Sequence, residues 1–365
     1  MITREWPLVP VYGTTALFFI FDSALLGKLE STLWTAFVLA WLFIVMLAAA
    51  FAVVRHSDCL AEIFGEPYGT LILTLAITVI EVMMIATVML TGPQESTLAR
   101  DTMFAVVMIV FNGMAGLSLL VGGLRYHEQT YNLQGASSFL AVILPLAVLG
   151  LVLPNFTSAP GGTLSALHEG FLMLMSVGLY GIFLAIQTLR HRHYFLQGDE
   201  IEEQAPPWAG EMRDLRPAAY HGTLLLLYIV PIVLLSKKIA VPIDHSIGVL
   251  GAPAALAGFL VAALILAPES MAAVRAALAN QLQRAINLLL GSVLASISLT
   301  IPAVLAIGLF TERSVVLGLE PVDVILLLLT LVMTTLTFGS GRTNILQGAV
   351  HLLLFAAYVV LIFDR

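Results

Sequence analysis

Charge is what this sequence lacks. Of 365 residues, 11% are Asp, Glu, Lys or Arg and 59% are hydrophobic, where an ordinary soluble domain carries about 25% charged residues. A soluble chain of this length could not cover its surface with so few charges. Cys59 is the single cysteine, which excludes an internal disulfide and, without spaced partners, a zinc site. No basic patch with interleaved aromatics is present, so nucleic-acid binding is not supported. The apolar spans hold no His-Glu-x-x-His, paired catalytic Asp or Gly-x-Ser-x-Gly motif, which speaks against an intramembrane hydrolase and against an enzyme altogether. No resident cofactor is expected.

What is present is apolar runs of eighteen residues or more, each long enough to cross a hydrocarbon core of about 30 Å as a helix. Eleven candidate spans fall near 8–27, 31–54, 68–90, 101–123, 136–154, 165–189, 218–236, 246–268, 284–309, 321–338 and 344–363. Only a helix or a closed barrel satisfies its own backbone in lipid, and the period-2 alternation of barrel strands is missing. The expected fold class is an all-α polytopic membrane protein in a lipid bilayer. The start, "MITREWPLVP", has one Arg and no small-residue cleavage site after its apolar run, so the first span is expected to be a retained helix.

One long polar stretch, Arg190 to Pro217, interrupts the pattern; its middle is acidic (Asp199, Glu200, Glu202, Glu203) and Pro206-Pro207 breaks any helix there. It reads as a solvated linker or as a cation-attracting, regulatory segment. Setting the first span aside leaves five spans, a linker and five spans. The expected division is an extra helix in 1–30, a first five-helix repeat in 31–189, the linker in 190–217 and a second repeat in 218–365. Five is odd, so the halves enter the membrane in opposite senses. Placing the N-terminus inside puts ten Lys and Arg on the inner loops and six outside (Lys28, Arg100, Lys237, Lys238, Arg313, Arg365), which predicts a cytoplasmic N-terminus and linker.

The span Gly69 to Leu90 carries one carboxylate, Glu81, near its middle. An acid at that depth is costly and usually marks a function. The second half has a counterpart, Glu269, directly after Pro268, which removes a backbone donor beside the acid. After each acid come a polar stretch ending in Arg (Arg100, Arg284) and a span rich in small residues. Inverted repeats with interrupted helices are the usual build of a secondary transporter, with the site at the midplane between repeats. Two carboxylates meeting there would bind a cation, or hold protons in its absence. Thr74 and Thr78 fall on or near the Glu81 helix face, and Ser292 and Ser296 share a face of the ninth span; such residues serve close packing as well as ligation. Glu66 and Glu62 are candidate entrance acids, or members of a solvated loop. His127 and Glu128 form a possible pH-sensing pair, or a plain interface.

At these two acids the sequence resembles the calcium/proton antiporters of the calcium/cation exchanger superfamily, in particular the bacterial ChaA type, which exchanges calcium, sodium or potassium for protons. The resemblance covers nearly the whole chain. It rests on "RHSDCLAEIFGEPYGTLILTLAITVIEV", "GGLRYHEQTYN", "APESMAAVRAALANQLQRAINLLLGSVLASISLTIP" and "GRTNILQGAVHLLLF". It implies that Glu81 and Glu269 are the cation- and proton-binding carboxylates, with Ser292 on a family site position. The chain departs from the family in having Ile77-Thr78 and Ile265-Leu266 where most members have Gly-Asn before each acid, Ser270 where eukaryotic members often have His, Ala295 near a family Gln, and Asn112 near a displaced Asn. The implied cation shell of Glu81, Glu269, Thr78 and Ser292, with Thr74, Asn112, Ser270, Ser296 and Glu66 as secondary candidates, is short of amide oxygens. Calcium takes six to eight oxygens.

The expected function is export of a cytoplasmic cation, calcium first and sodium or potassium as the alternative, against protons in a bacterial inner membrane. A passive cation channel is the rival reading; it would need no paired proton-titrating acids.

Overall fold

The computed structural model describes residues 5–64, 68–91, 95–157, 160–196, 217–250, 253 and 255–364. Helices dominate. A short α1 (Leu8–Ile20) and α2 (Asp22–Leu26) precede α3 (Thr32–Phe64) and α4 (Tyr68–Thr91). The next crossing is α5 (Leu98–Met108), a π-helical segment at Ile109–Met114, and α6 (Ala115–Tyr126). Then come α7 (Leu133–Ala147) and α8 (Ala166–Ala185), each running on into a π-helical turn. The second half opens with α9 (Ala218–Leu250) and α10 (Ala255–Leu278). Its next crossing is α11 (Leu282–Ala295), a π-helical segment at Ser296–Thr300, and α12 (Ile301–Thr311). The chain continues through α13 (Pro321–Phe338) and α14 (Ile345–Phe363). In both halves an acid-bearing helix (α4, α10) is thus followed by the span rich in small residues, the order the sequence pattern predicts, and each such span has a π-helical centre.

Among the described residues nine helical spans are long and apolar enough to cross a membrane, and α4 has 24 residues. The first of the eleven expected spans does not match: α1 has 13 residues, about 20 Å at 1.5 Å per residue, and the helix breaks at Phe21. A second boundary also moves. The polar "SKK" at 236–238 reads as a loop between spans at 218–236 and 246–268, yet α9 runs through it for 33 residues. The Ser236 hydroxyl donates to Val233 O at 2.7 Å, and Lys238 Nζ pairs with Asp22 Oδ1 at 2.8 Å and lies over the Phe19 ring. Pro231 and Pro242 are absorbed because neighbouring helices support the backbone. The next span shifts to Ala255–Leu278, which places Glu269 well inside α10 and brings Arg275 into its last turn.

Loop contacts sort the helix ends onto two faces. Strand β1 (Glu95–Ser96), after α4, pairs in parallel with β3 (Ser314–Val315), after α12. On the same face Arg100 donates to Gly318 O and Asn155 to Leu319 O. On the other face β2 (Glu128–Thr130), after α6, pairs antiparallel with β4 (Arg342–Asn344), before α14. There Tyr126 and Gln129 donate to the last carbonyls of α10, and Asn287 to Phe195 O at the start of the linker region. We call this the linker face.

The core is two apolar clusters. One gathers α5, α7, α11, α12 and their π-helical turns; the other gathers α3, α9 and parts of α4 and α10. The acid-bearing helices serve both: Ile77, Ile80 and Met84 join the second cluster while Ile85 and Met89 join the first, and α10 divides the same way. Close helix approach uses glycine where the backbone demands it. A Cβ on Gly348 of α14 would stand 2.5 Å from Leu120 N, and one on Gly116 of α6 would stand 2.9 Å from Leu352 N.

Candidate ion-binding site

Glu81 and Glu269 lie on the seam between the two clusters, each 1% exposed. Both are held by one helix, α11 with its π-helical continuation. Ser296 donates to Glu81 Oε2 at 2.5 Å, and Thr300 donates to Glu81 Oε1 at 3.2 Å. Ser292 donates to Glu269 Oε2 at 2.6 Å. Ser292 and Ser296 are one turn apart, their Cβ atoms about 6 Å from each other, so the two carboxyls are tethered to successive turns of one helix face. Glu269 Oε1 is buried with no hydrogen-bond partner among the described residues. A buried carboxyl oxygen without a donor is costly unless a proton or a cation takes the place.

The order along α11 explains the geometry. Ser292, Ser296 and Thr300 step by four residues, which keeps them on one stripe. The π-helical turn at Ser296–Thr300 widens the helix where it meets α4. Short hydroxyls are what such a crowded crossing admits.

The other predicted residues are placed differently. Thr78 is buried on the Glu81 face, and its hydroxyl donates to Thr74 O at 2.9 Å, leaving its lone pairs free. Thr74 is buried one turn further on, beside a small cavity. Ser270 turns its hydroxyl back to Leu266 O at 2.8 Å. Asn112 is fully buried but committed elsewhere: it donates to Thr330 Oγ1 at 2.8 Å, and its Oδ1 meets His351 Nδ1 at 3.0 Å. His351 Nε2 in turn meets the Thr337 hydroxyl at 2.9 Å. With Asn112 Nδ2 donating, its oxygen takes the His351 Nδ1 proton, and Thr337 donates to Nε2. Asn112 is therefore spoken for by a closed network. His127 is an exposed, left-handed residue capping α6, and Glu128 sits in β2. Glu66 and the side chain of Glu62 lie outside the described residues. Thr300 is the residue the sequence reading missed; its signal was the four-residue step beyond Ser296.

Ile77 and Ile265, each four residues before an acid, close the site toward α3 and α9. With Met46, Ala50, Val54 and Ile232 they line an apolar cavity. Ile77 and Ile265 stand where the resembled family has the glycine of its Gly-Asn pairs; Thr78 and Leu266 stand where it has the amide.

The sodium/calcium exchanger protein family matches residues 12–189 and 221–363, nearly the whole described chain. The chain belongs to that family. Among curated relatives, the protein named as the ionic transporter y4hA of Sinorhizobium fredii is 45% identical over 318 residues, 87% of this chain and 86% of its own. The sodium-potassium/proton antiporter ChaA of Escherichia coli is 40% identical over 319 residues, again 87% of this chain and 86% of its own. The solved structure of native YfkE superposes with a TM-score of 0.75 at 17% identity, covering 98% of this chain and all of that one, which fixes the exchanger fold. An exchanger-family chain of this kind is a multi-pass membrane transporter, in agreement with the fold class read from the sequence.

Proposed function

We propose that this protein is a cation/proton antiporter in which Glu81 and Glu269 alternately hold the transported cation and protons. The observation that carries the reading is the pair of fully buried carboxyls, one from each half, tethered to a single helix by three hydroxyls. Two carboxylates and three hydroxyls offer seven side-chain oxygens, with Thr78 beside them. Without a cation the dry pair cannot keep two negative charges. Cation entry therefore expels protons, and proton entry expels the cation. Coupled to alternating exposure of the site, this competition is antiport. We read 31–189 and 218–365 as the two inverted repeats, 190–217 as a cytoplasmic linker, the N-terminus as cytoplasmic and the membrane as the bacterial inner membrane, so that the proton gradient drives cation export.

Two cation readings divide on the shell. Calcium is served by charge, since two carboxylates balance one divalent ion. Sodium or potassium is favoured by Thr78 and Leu266, which stand where the resembled family has Asn and leave the shell short of amide oxygens, and by the 40% identity to an antiporter named for sodium and potassium. Everted vesicles energised to be acid inside separate them. Calcium, sodium and potassium chloride are added in turn, and collapse of the gradient names the ion. Glu81→Gln and Glu269→Gln are each expected to abolish that response. A gradient indifferent to every cation, or variants that behave as wild type, would sink the antiport reading.

A further inference from the structure

Beside the acid pair lies a second polar space that the exchange chemistry does not use. It is bounded by α4, α7, α8 and α11, and has room for about one water-sized particle. Thr74, Tyr180 and Gln187 line it, exposed by only 5%, 6% and 5%. None of these three side chains has a hydrogen-bond partner among the described residues, although nearly all buried polar groups have one. Three unpartnered polar groups around one small space describe a site for something that supplies the missing bonds. Phe139 and Phe183, their ring centroids 4.7 Å apart, form its aromatic wall.

The space borders two elements of the acid site, α4 and α11. On α4, Thr74 O accepts from Thr78, whose side chain stands one turn before Glu81. On α11, Gly291 borders the space and precedes Ser292, the donor to Glu269. A Cβ on Gly291 would reach 3.8 Å from Thr74 Oγ1 and 3.7 Å from the Phe139 ring. That is ordinary contact, so the glycine leaves an opening the packing does not require. Gln187 lies near the linker-face end of the α8 helix, and Thr74 near the linker-face end of α4. The other approach, along α3 and α9, is lined at the acids' level by Ile77, Ile265, Met46 and Ile232, which offer a dehydrating cation nothing.

We propose that the Thr74–Tyr180–Gln187 cavity is a way-station for the transported metal cation, holding it partly stripped of water between the linker face and Glu269. The Gln187 amide oxygen and the Thr74 and Tyr180 hydroxyls are its ligands, taking the place of part of its water shell. The inference rests on the antiport reading, and the two fail in different experiments.

The first test is kinetic, in vesicles with sodium, potassium or calcium chloride supplied on the linker face. Gln187→Leu, which removes one charge-assisted contact, and Gly291→Ala, whose methyl narrows the opening, should each lower the exchange rate at limiting cation about tenfold, while the rate at saturating cation is kept. The second test reports access directly. In a Cys59→Ser background, Gln187→Cys should be modified by a cationic, membrane-impermeant thiol reagent from the linker face, and the transported cation should protect it. Unchanged rates at limiting cation, or a cysteine reached only from the opposite face or not protected by cation, would overturn the way-station while wild-type exchange persists. A wild type that exchanges no cation for protons fails the antiport reading instead.

Discussion

At the residue scale, the site depends on which hydroxyl serves which acid. Glu81 accepts two hydrogen bonds, Glu269 one, and all three come from α11 and its π-helical turn. Ser296→Ala removes the shorter contact to Glu81 and should raise the cation KM about tenfold, the scale of a hydrogen bond to a charged group. Thr300→Val removes the longer contact and should raise it less. Vesicle exchange rates over a cation series give both numbers. Ser292→Ala leaves Glu269 with no donor and should show the largest effect of the three. Glu81 and Glu269 were legible in the sequence as candidates because a lone acid in an apolar run stands out, and Ser292 because it falls on a site position of the family the sequence resembles. Thr300 was not singled out, since threonines are common in membrane helices and its four-residue step beyond Ser296 crosses a π-helical turn that the sequence does not show. Asn112 misled for a related reason. A buried amide calls for partners, but its partners, Thr330 and His351, lie 218 and 239 positions away. Sequence distance hides such a network.

At the element scale, close backbone approach decides the packing. The α6–α14 crossing admits only hydrogen at Gly116 and Gly348, whose Cβ positions fall 2.9 Å and 2.5 Å from backbone nitrogens. Gly348→Val should destabilise the protein by about 1–3 kcal/mol or more through overpacking. A lower midpoint in thermal size-exclusion profiles of detergent-solubilised protein would register it. Gly291→Ala makes the contrast, because its new methyl meets only ordinary contacts; its midpoint should stay within a degree or two of wild type. Hydropathy located most crossings. It failed at the α9–α10 boundary because Lys238 is neutralised by Asp22 and covered by Phe19 inside a continuous helix. It could not show the π-helical segments at all, since these follow from backbone hydrogen bonding and not from apolar periodicity.

At the scale of the whole molecule, strand pairs join loops of the two halves on both faces. The core cluster is thereby stapled at top and bottom, and α3 and α9 form the other body. These two helices also hold each other at one end: His56 Nδ1 meets His221 Nδ1 at 3.1 Å, and Glu5 accepts from Arg55 at 2.6 Å and from Tyr228 at 3.1 Å. They are expected to move together against α4 and α10. Tethering α3 to α9 with a bifunctional thiol reagent at introduced cysteines should preserve exchange; tethering α3 to α10 should stop it. The bonds that complete the site carry a consequence for biogenesis. Glu81 receives its hydroxyls from residues 215 and 219 positions later. While the ribosome is still making the second half, that acid has entered the membrane with no donor and no neighbouring acid. A polypeptide ending within 190–217, made alone, should be cleared by membrane proteases, and separate synthesis of 218–365 in the same cell should rescue it.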